Sequence, residues 1–297
     1  MRVLVTGAAG FLGSHIAKAL VARGDEVVGL DVVPHHVQGG SAVQASILDR
    51  DLADRDDLRG PFDCVIHMAA IAAPGECSRD PDGAFRINVY GTYNMLRFAA
   101  KYGARFIFGS SAHVYGIPPK RMPTSEDEPL GLHDDYTISK ILGEGLCERF
   151  HQVRGLAYVS LRLYNGYGPG QPKGYFIPDI LAQAQKGDIT LRGGATTKDF
   201  LYITDLVRAV VAATTTTFIG ALNIGSGRET TLQYVADRVA WHVGVHVEAN
   251  LVGGVDTRMQ CDRTRASRVL GWVPEVGLEA GLDATIAAAL EVVENHG

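Results

Sequence analysis

Three side chains near the middle of the chain have the types and spacing needed for proton transfer. Tyr136 and Lys140 are four residues apart in a segment expected to be helical to about Val153, so the phenol and the ammonium share one helix face. A free phenol has a pKa of about 10 and is a poor base, but a nearby positive charge favours the phenolate. Ser111 follows an apolar strand and offers a hydroxyl that could orient a substrate oxygen. The set predicts a tyrosine proton shuttle assisted by a lysine and a serine.

A glycine-rich loop joins the first expected strand, residues 3–6, to the first expected helix, residues 12–23. In this position the first glycine permits a tight turn, the second lets the backbone approach a pyrophosphate at the helix N-terminus, and the third allows close helix–strand packing. The loop therefore predicts a dinucleotide site. The residues expected to bind the cofactor here are Gly7, Gly10, Phe11, Leu12 and Gly13.

Asp31 ends the second expected strand, about 20 residues beyond the glycines. A carboxylate at this point can accept hydrogen bonds from the adenosine ribose hydroxyls and repels a 2′-phosphate. NAD is therefore expected rather than NADP. A bound nicotinamide cation would also favour the Tyr136 phenolate.

Short β-branched runs alternate with helix-length amphipathic segments, which is typical of parallel βαβ units. Strand interiors such as Val65-Ile66 are continuously apolar, as expected for a sheet covered by helices on both faces. Strands are expected at residues 3–6, 26–30, 64–67, 105–108, 158–163 and 189–191. Helices are expected at residues 12–23, 85–102, 136–153, 177–185, 205–213, 232–242 and 279–293.

The Gly/Pro-rich stretch from Asn165 to Pro172 cannot continue a helix or a central strand, and it suggests a domain boundary. The expected fold class is α/β: a Rossmann-type doubly wound parallel sheet with a smaller mixed α/β C-terminal substrate domain. The first domain is expected over residues 1–166, with a returning segment at about 200–224, and the second over residues 167–297.

The bulk properties of the 297 residues limit the partners. A net charge of −5 disfavours nucleic acid and anionic membranes, and no apolar run is long enough to span a bilayer. Four cysteines without paired spacing suggest neither disulfides nor a zinc site, so no metal is expected and a reducing compartment fits. The chain is expected to be soluble and cytoplasmic.

Taken in order along the chain, these motifs resemble an extended short-chain dehydrogenase/reductase of the NAD-dependent nucleotide-sugar epimerase/dehydratase family. The resemblance spans essentially the whole length. Besides the glycine loop it rests on residues 67–70, 88–92, 110–116, 136–140, 161–165, 199–205 and 270–274.

The resemblance implies roles for individual residues. Tyr136 is the base, Lys140 holds the nicotinamide ribose, and Ser111 contacts the reacting sugar hydroxyl. The family's Asp-Ile pair at the adenine is replaced by Ser46-Ile47, which removes one expected contact. Further contacts to NAD are implied for Met68, Ala69, Ala70 and Asn88.

The residues after Ser111 narrow the reaction. Dehydratases of the family carry an acid–base pair there, whereas this chain has Ala112 and His113. Alanine can be neither acid nor base, so dehydration and oxidative decarboxylation are disfavoured. The expected reaction is 4-epimerisation of a nucleotide diphosphate sugar by transient C4 oxidation and hydride return. His113 keeps a dehydratase open, because an imidazole could replace the missing acid.

The remaining substrate contacts implied by the resemblance are Asn165, at the domain junction, and Lys198 and Arg258 for the diphosphate. Lys198 stands where the family usually has arginine, and it lacks the planar bidentate fork. The stretch 174–178 lacks the paired asparagines of many UDP-hexose epimerases, so the nucleotide stays open.

Two other functions also stay open. An NAD(P)H-dependent 4-ketoreductase uses the same Ser-Tyr-Lys set, and a non-catalytic nucleotide-binding module could share the fold. Family members commonly pair helices corresponding to 85–102 and 136–153 into an intermolecular four-helix bundle. A homodimer is therefore expected.

Overall fold

The computed structural model describes residues 1–193, 196–250 and 257–294. The described strands are β1 (Arg2–Thr6), β2 (Glu26–Asp31), β3 (Ser41–Gln44), β4 (Cys64–His67), β5 (Arg105–Ser111), β6 (Tyr158–Leu163), β7 (Asn165–Tyr167), β8 (Ile189–Arg192), β9 (Thr197–Lys198), β10 (Phe200–Tyr202), β11 (Gly220–Ile224), β12 (Thr230–Thr231) and β13 (Val247–Asn250). The described α-helices are α1 (Phe11–Arg23), α2 (Pro74–Arg79), α3 (Pro81–Phe85), α4 (Thr92–Tyr102), α5 (Asp135–Arg154), α6 (Phe176–Ala184), α7 (Ile203–Ala213), α8 (Leu232–Val243), α9 (Thr264–Leu270) and α10 (Leu278–Glu294).

Seven of these strands form one parallel sheet in the order β3-β2-β1-β4-β5-β6-β11. The strand order reverses between β1 and β4, and the crevice at such a switch point is where doubly wound folds bind ligands. The carboxyl ends of β1, β4 and β5 lead into the glycine loop, Met68 and Ala112. The Rossmann-type fold predicted from the sequence is confirmed.

Both faces of the sheet are buried because successive side chains of a strand point to opposite sides. On one face Val3 and Val5 pack in a cluster with residues of α1 and α7, including Ile16. On the other face Leu4 packs in a cluster with residues of α4, including Met95. This two-sided cover explains the continuously apolar strands.

A second and smaller core lies in the C-terminal part of the chain. It joins α6, α8 and α10 with β8 and β10, and its buried residues include Ile180, Ile189, Val235 and Leu282. Helix α7 and strand β11, which lie between these elements in sequence, pack on the main sheet instead. The boundary between residues 166 and 167 stays a prediction.

The structure contains elements that were not expected from the sequence, namely β3, β9 to β13, α2 and α9, and it differs from the expectation at two further places. The helix expected over residues 85–102 is divided into α3, a π-helical segment (Arg86–Gly91) and α4. Gly91, at the end of the π-helical segment, leaves room for Ile47, because a Cβ there would lie 2.4 Å from the Ile47 Cδ1. Residues 165–167 form β7, which pairs with β10 outside the main sheet. No helix in the described ranges is long and apolar enough to cross a membrane.

Candidate active site

The glycine loop is built for close approach at the start of α1. Gly7 has a φ of 73°, and a Cβ there would lie 2.8 Å from the amide nitrogen of Ala69. A Cβ on Gly13 would lie 2.0 Å from the carbonyl oxygen of Gly7. Gly10 caps α1 without any side-chain hydrogen bond, so the first helix amides are left for another acceptor. Uncapped amides at a helix N-terminus suit the pyrophosphate of a dinucleotide.

Asp31 lies beside this loop at the end of β2. One carboxylate oxygen accepts from the Ala9 amide at 3.0 Å, and the other accepts from the Val33 amide at 3.1 Å. These bonds hold the carboxylate at the edge of the glycine loop and leave lone pairs on both oxygens. The geometry fits the ribose contact predicted from the sequence.

Ser46 and Ile47 occupy the turn after β3. The Ser46 hydroxyl accepts from the Leu48 amide at 3.1 Å, so it serves the local turn. The Ile47 side chain is buried, and its carbonyl accepts from the amide group of Asn94 at 3.1 Å. Their predicted contact with adenine stays a prediction.

A chain of buried hydrogen bonds connects β1 to the catalytic helix, and the sequence reasoning did not find it. The Ala69 amide donates to the Thr6 hydroxyl, and Thr6 contacts Nδ1 of His67 at 2.7 Å. Nε2 of His67 lies 3.0 Å from the Thr92 hydroxyl, which donates to the Asn88 carbonyl. Burial lowers the pKa of His67 to about 3, so the ring is neutral. Because Thr92 donates onward, Nε2 carries the proton.

Asn88 continues this chain into the site. Its side chain donates to the Ser139 hydroxyl at 3.0 Å and exchanges hydrogen bonds with the backbone of Ile71. Ser139 donates in turn to the Tyr136 carbonyl at 2.7 Å. Asn88 therefore fixes both the segment after Met68-Ala69-Ala70 and the first turn of α5. The signal in the sequence was a polar residue within a mostly apolar helix.

The three residues predicted to run the chemistry come together at the switch-point edge. Asp134 caps α5 by accepting from the Thr137 amide at 2.7 Å, and this places Tyr136 in the first turn. Tyr136 and Lys140 are buried, at 8% and 6% exposure. The Ser111 side chain lies near the Tyr136 phenol and favours its phenolate. Nζ of Lys140 donates to the Gly109 carbonyl at 2.7 Å.

In the chain alone, burial sets the protonation states of this group. Burial raises the pKa of Tyr136 to about 12, although the nearby Ser111 side chain opposes the rise. Burial also lowers the pKa of Lys140 to about 8. Lysine proximity alone therefore does not give a phenolate at neutral pH, since Nζ lies 5.8 Å from the Tyr136 ring centre and bonds to a carbonyl. A further positive charge beside the phenol is required.

The two residues after Ser111 face different directions. Ala112 is buried in an apolar cluster with Tyr164, Met259 and Cys261, so position 112 is part of the core. The His113 ring meets the Tyr136 ring edge-on at 5.9 Å between centres. Of the described residues, none forms a hydrogen bond with the buried Nδ1 of His113.

His113 belongs to the one group of described residues that could hold a metal ion. Ligand atoms of His113, His133 and Asp134 lie within 4.8 Å of one another. Burial lowers the pKa of His113 to about 4, and the positive charge of Lys198 adds to this effect. The same positive charge and the N-terminus of α5 oppose a bound cation. The group is better suited to hydrogen-bonding a neutral or anionic substituent.

The predicted substrate residues of the second domain lie around β9. Lys198 is mostly buried, which lowers its pKa, and within the described part of the chain its ammonium forms no hydrogen bond or ion pair. Arg258 is exposed and forms a two-pronged ion pair with Glu229, at 2.6 Å for each bond. Glu229 also accepts from Thr197, the neighbour of Lys198.

Asn165 has a structural partner. Both its backbone and side-chain amides donate to the Asp199 carbonyl at 3.1 Å. The Asp199 carboxylate itself is buried and accepts from Ser226, Gly227 and Cys261. Asn165 therefore holds the junction between β7 and β10, and its predicted contact with substrate stays a prediction.

The chain belongs to the NAD-dependent epimerase/dehydratase family, because the model of that family matches residues 3–225. NAD is accordingly its cofactor, and the resemblance found in the sequence is confirmed. The features that fit this dinucleotide are the uncapped N-terminus of α1, the close backbone approach at Gly7 and Gly13, and the Asp31 carboxylate.

The relatives carry more than one activity. A UDP-glucose 4-epimerase of Mycolicibacterium smegmatis is 33% identical over 96% of this chain and 97% of that protein. UDP-glucuronic acid decarboxylase 1 of Arabidopsis thaliana is 30% identical over 95% of this chain and 68% of that protein. The structure of UDP-glucose 4-epimerase from Thermotoga maritima with UDP-glucose superposes with a TM-score of 0.91, at 30% identity over 99% of this chain and all of that one. The chain is therefore a family enzyme whose exact reaction the likeness leaves open.

Proposed function

We propose that this chain is an NAD-dependent nucleotide-sugar 4-epimerase that oxidises C4 of the sugar transiently and returns the hydride to the opposite face. The observation that carries the proposal is the convergence of the Ser111 hydroxyl, the Tyr136 phenol and the Lys140 ammonium at the end of β5, with a residue of the core at position 112. This group can move one proton at one sugar hydroxyl. Epimerisation needs no further acid or base.

Each residue has a defined part in this reaction. Tyr136 takes the C4 hydroxyl proton during oxidation and gives it back during reduction, and Ser111 holds the same oxygen. Lys140 adds a positive charge behind the phenol and has N–H groups left for a ribose hydroxyl. NAD, when bound, accepts the C4 hydride and returns it, and its nicotinamide cation supplies the charge that burial of the phenol makes necessary.

A panel of UDP-, dTDP-, GDP- and CDP-sugars, incubated with the enzyme and catalytic NAD, tests the proposal. Formation of the 4-epimer without net NADH, resolved by chromatography and NMR, is the expected result. Stoichiometric NADH consumption with a 4-keto sugar would identify a 4-ketoreductase, which remains the second candidate because it needs the same three residues. A 4-keto-6-deoxy product, or carbon dioxide from a UDP-uronic acid, would contradict the epimerase.

Replacing His113 by alanine separates the epimerase from a dehydratase. Because the pKa of His113 is lowered to about 4, the ring is uncharged and a weak acid at neutral pH. We expect kcat to change by less than about threefold, compared with the roughly 10²-fold or larger loss that follows removal of a general acid. A loss of that size, measured on the accepted sugar, would restore the dehydratase hypothesis.

We propose that the active form is a homodimer that pairs the faces of α4 and α5. An open apolar groove lies where the π-helical segment meets α4 and α5, and Tyr93 and Leu142 on these two helices are exposed at 39% and 43%. Its lining residues are Phe85, Arg86, Val89, Tyr90, Tyr93 and Leu146.

The buried free cysteines support the further proposal of a reducing, cytoplasmic location.

A Leu142→Glu chain should dissociate into monomers. In a symmetric interface each carboxylate would be buried beside its apolar partner surface, so the dimer dissociation constant is expected to rise by at least about tenfold. Light scattering across a dilution series measures this. Leu130→Glu, a loop leucine of matching 42% exposure, is the control. Monomeric parent protein at working concentration would reject the dimer.

A further inference from the structure

An ion pair behind the active site connects three elements of the Rossmann layer. Arg162 of β6 donates to both carboxylate oxygens of Glu144 on α5, at 2.7 Å from Nη2 and 3.0 Å from Nε. Both side chains are nearly buried, at 8% and 11% exposure. Buried pairs of this kind often add little stability compared with apolar residues of the same size. The Glu144–Arg162 pair is therefore better explained by a positional role than by stability.

The same pair holds the catalytic segment on both sides. Ser110, directly before Ser111, donates its hydroxyl to Glu144. Tyr115, at the far end of the turn, accepts from Nη1 of Arg162 at 2.8 Å and donates to the side chain of Asn223. The residues from 111 to 114 therefore lie between two anchors, Ser110 and Tyr115, and each anchor is hydrogen-bonded to the Glu144–Arg162 ion pair.

Glu144 is also fixed relative to the other two catalytic residues. It lies four residues after Lys140 and eight after Tyr136 on the same helix. A carboxylate held by Arg162 thus links the helix that carries Tyr136 to the strand end that carries Ser111. We propose that Glu144 and Arg162 are positioning residues that set the distance between the Ser111 hydroxyl and the Tyr136 phenol. Errors of about 1 Å in such distances can cost roughly 10²-fold in rate.

The charge of Glu144 acts on Lys140 as well. Burial lowers the pKa of Lys140 to about 8, whereas Cys77 and Glu144 oppose that effect. The other titratable groups that face Lys140 are uncharged at neutral pH: burial raises the pKa of Cys77 and of Tyr136 and lowers that of His67. Glu144 is thus the negative charge available to keep Lys140 protonated.

Two single variants and their combination test the two anchors without breaking the ion pair. Ser110→Ala and Tyr115→Phe each remove one hydroxyl, and the combined variant removes both. We expect kcat to fall about tenfold for each with little change in KM or in the dissociation constant of NAD, because only the alignment of reacting groups changes. Tyr158→Phe is the matched control, since its hydroxyl bonds to Glu148 one turn further along α5.

Hydrogen exchange gives a readout that does not depend on the substrate. In the combined variant the amides of residues 111–114 should exchange at least about tenfold faster, with those of the Tyr158→Phe chain unchanged. Unchanged exchange and unchanged kcat would overturn the proposal and leave the ion pair as a purely structural feature. Failure of the sugar panel would overturn the proposed reaction and leave this result intact.

The Glu144→Gln variant tests the charge. Titration of ¹³Cε-lysine by NMR, with Lys140 assigned from a Lys140→Met chain, should place its pKa below the parent value of about 8. The acidic carboxylate of Glu148 on the same helix provides the control variant, Glu148→Gln, for which no shift is expected. An unchanged Lys140 pKa in folded Glu144→Gln protein would contradict the proposed effect of the Glu144 charge. If the Glu144→Gln protein does not fold, the Ser110→Ala and Tyr115→Phe variants still test the positioning role.

Discussion

A Tyr136→Phe chain should turn over the accepted nucleotide sugar between about 10² and 10⁴ times more slowly than the parent chain. Phenylalanine keeps the ring that packs against Cys77 and His113 and removes the hydroxyl that lies near Ser111. The C4 proton then has no acceptor within reach of the ring. Binding of NAD, followed by quenching of protein fluorescence, should stay within about threefold because the phenol is not charged in the free enzyme.

The matched substitution elsewhere is Tyr167→Phe. That hydroxyl donates to the Leu278 carbonyl. Tyr167 belongs to the second core, not to the packing of β5 and α5. We expect its loss to affect stability by about 1 kcal/mol and to leave kcat unchanged. If Tyr136→Phe kept more than a tenth of the parent rate, the proton would move through another group, and His113 would be the next residue to replace.

The fold could be predicted because its signals are local. The alternation of apolar strands and amphipathic helices gave the six strands β1, β2, β4, β5, β6 and β8 at nearly their observed positions. Strand β3 was missed, since four residues with one buried side chain give no periodicity. The π-helical turn was missed because the residues from Arg86 to Gly91 have no pattern that distinguishes them from the α-helix that follows.

In the candidate site, too, some features are local in sequence and others depend on the tertiary fold. The i, i+4 spacing of Tyr136 and Lys140 is a property of one helix, so the sequence places both on one face. The partners of Glu144 come from β5 and β6, and those of His67 come from β1 and α4, so only the tertiary fold brings them together. The direction of Ala112 into the core is likewise a tertiary fact.

Protonation depends on burial, which residue types and spacing do not report. The sequence places an ammonium near a phenol and so suggests a lowered pKa for Tyr136. Burial has the opposite effect and is the larger one in the free chain, raising that pKa to about 12. The spacing could not report this, because desolvation depends on everything packed around the ring. The lysine alone therefore does not activate the phenol, and a further positive charge is needed.

A Gly13→Ala chain should bind NAD roughly 100-fold more weakly than the parent chain, because a conflict of a few kcal/mol converts to that loss. The added Cβ would lie 2.0 Å from the Gly7 carbonyl oxygen and 2.7 Å from its carbon. Both atoms belong to the backbone, so no side chain can move aside. The loop has to shift away from α1, and that shift displaces the amides on which the pyrophosphate depends.

Isothermal titration with NAD measures this loss, and Gly145→Ala is its control. Gly145 lies in α5 with no atom within 4 Å of the added Cβ, so alanine there should leave NAD binding unchanged and stabilise the helix by up to about 1 kcal/mol. The two variants make the same chemical change, and they differ only in what the methyl group meets. Parent-like affinity in folded Gly13→Ala protein would mean that the pyrophosphate does not depend on this loop, and the site would have to be sought away from the first helix.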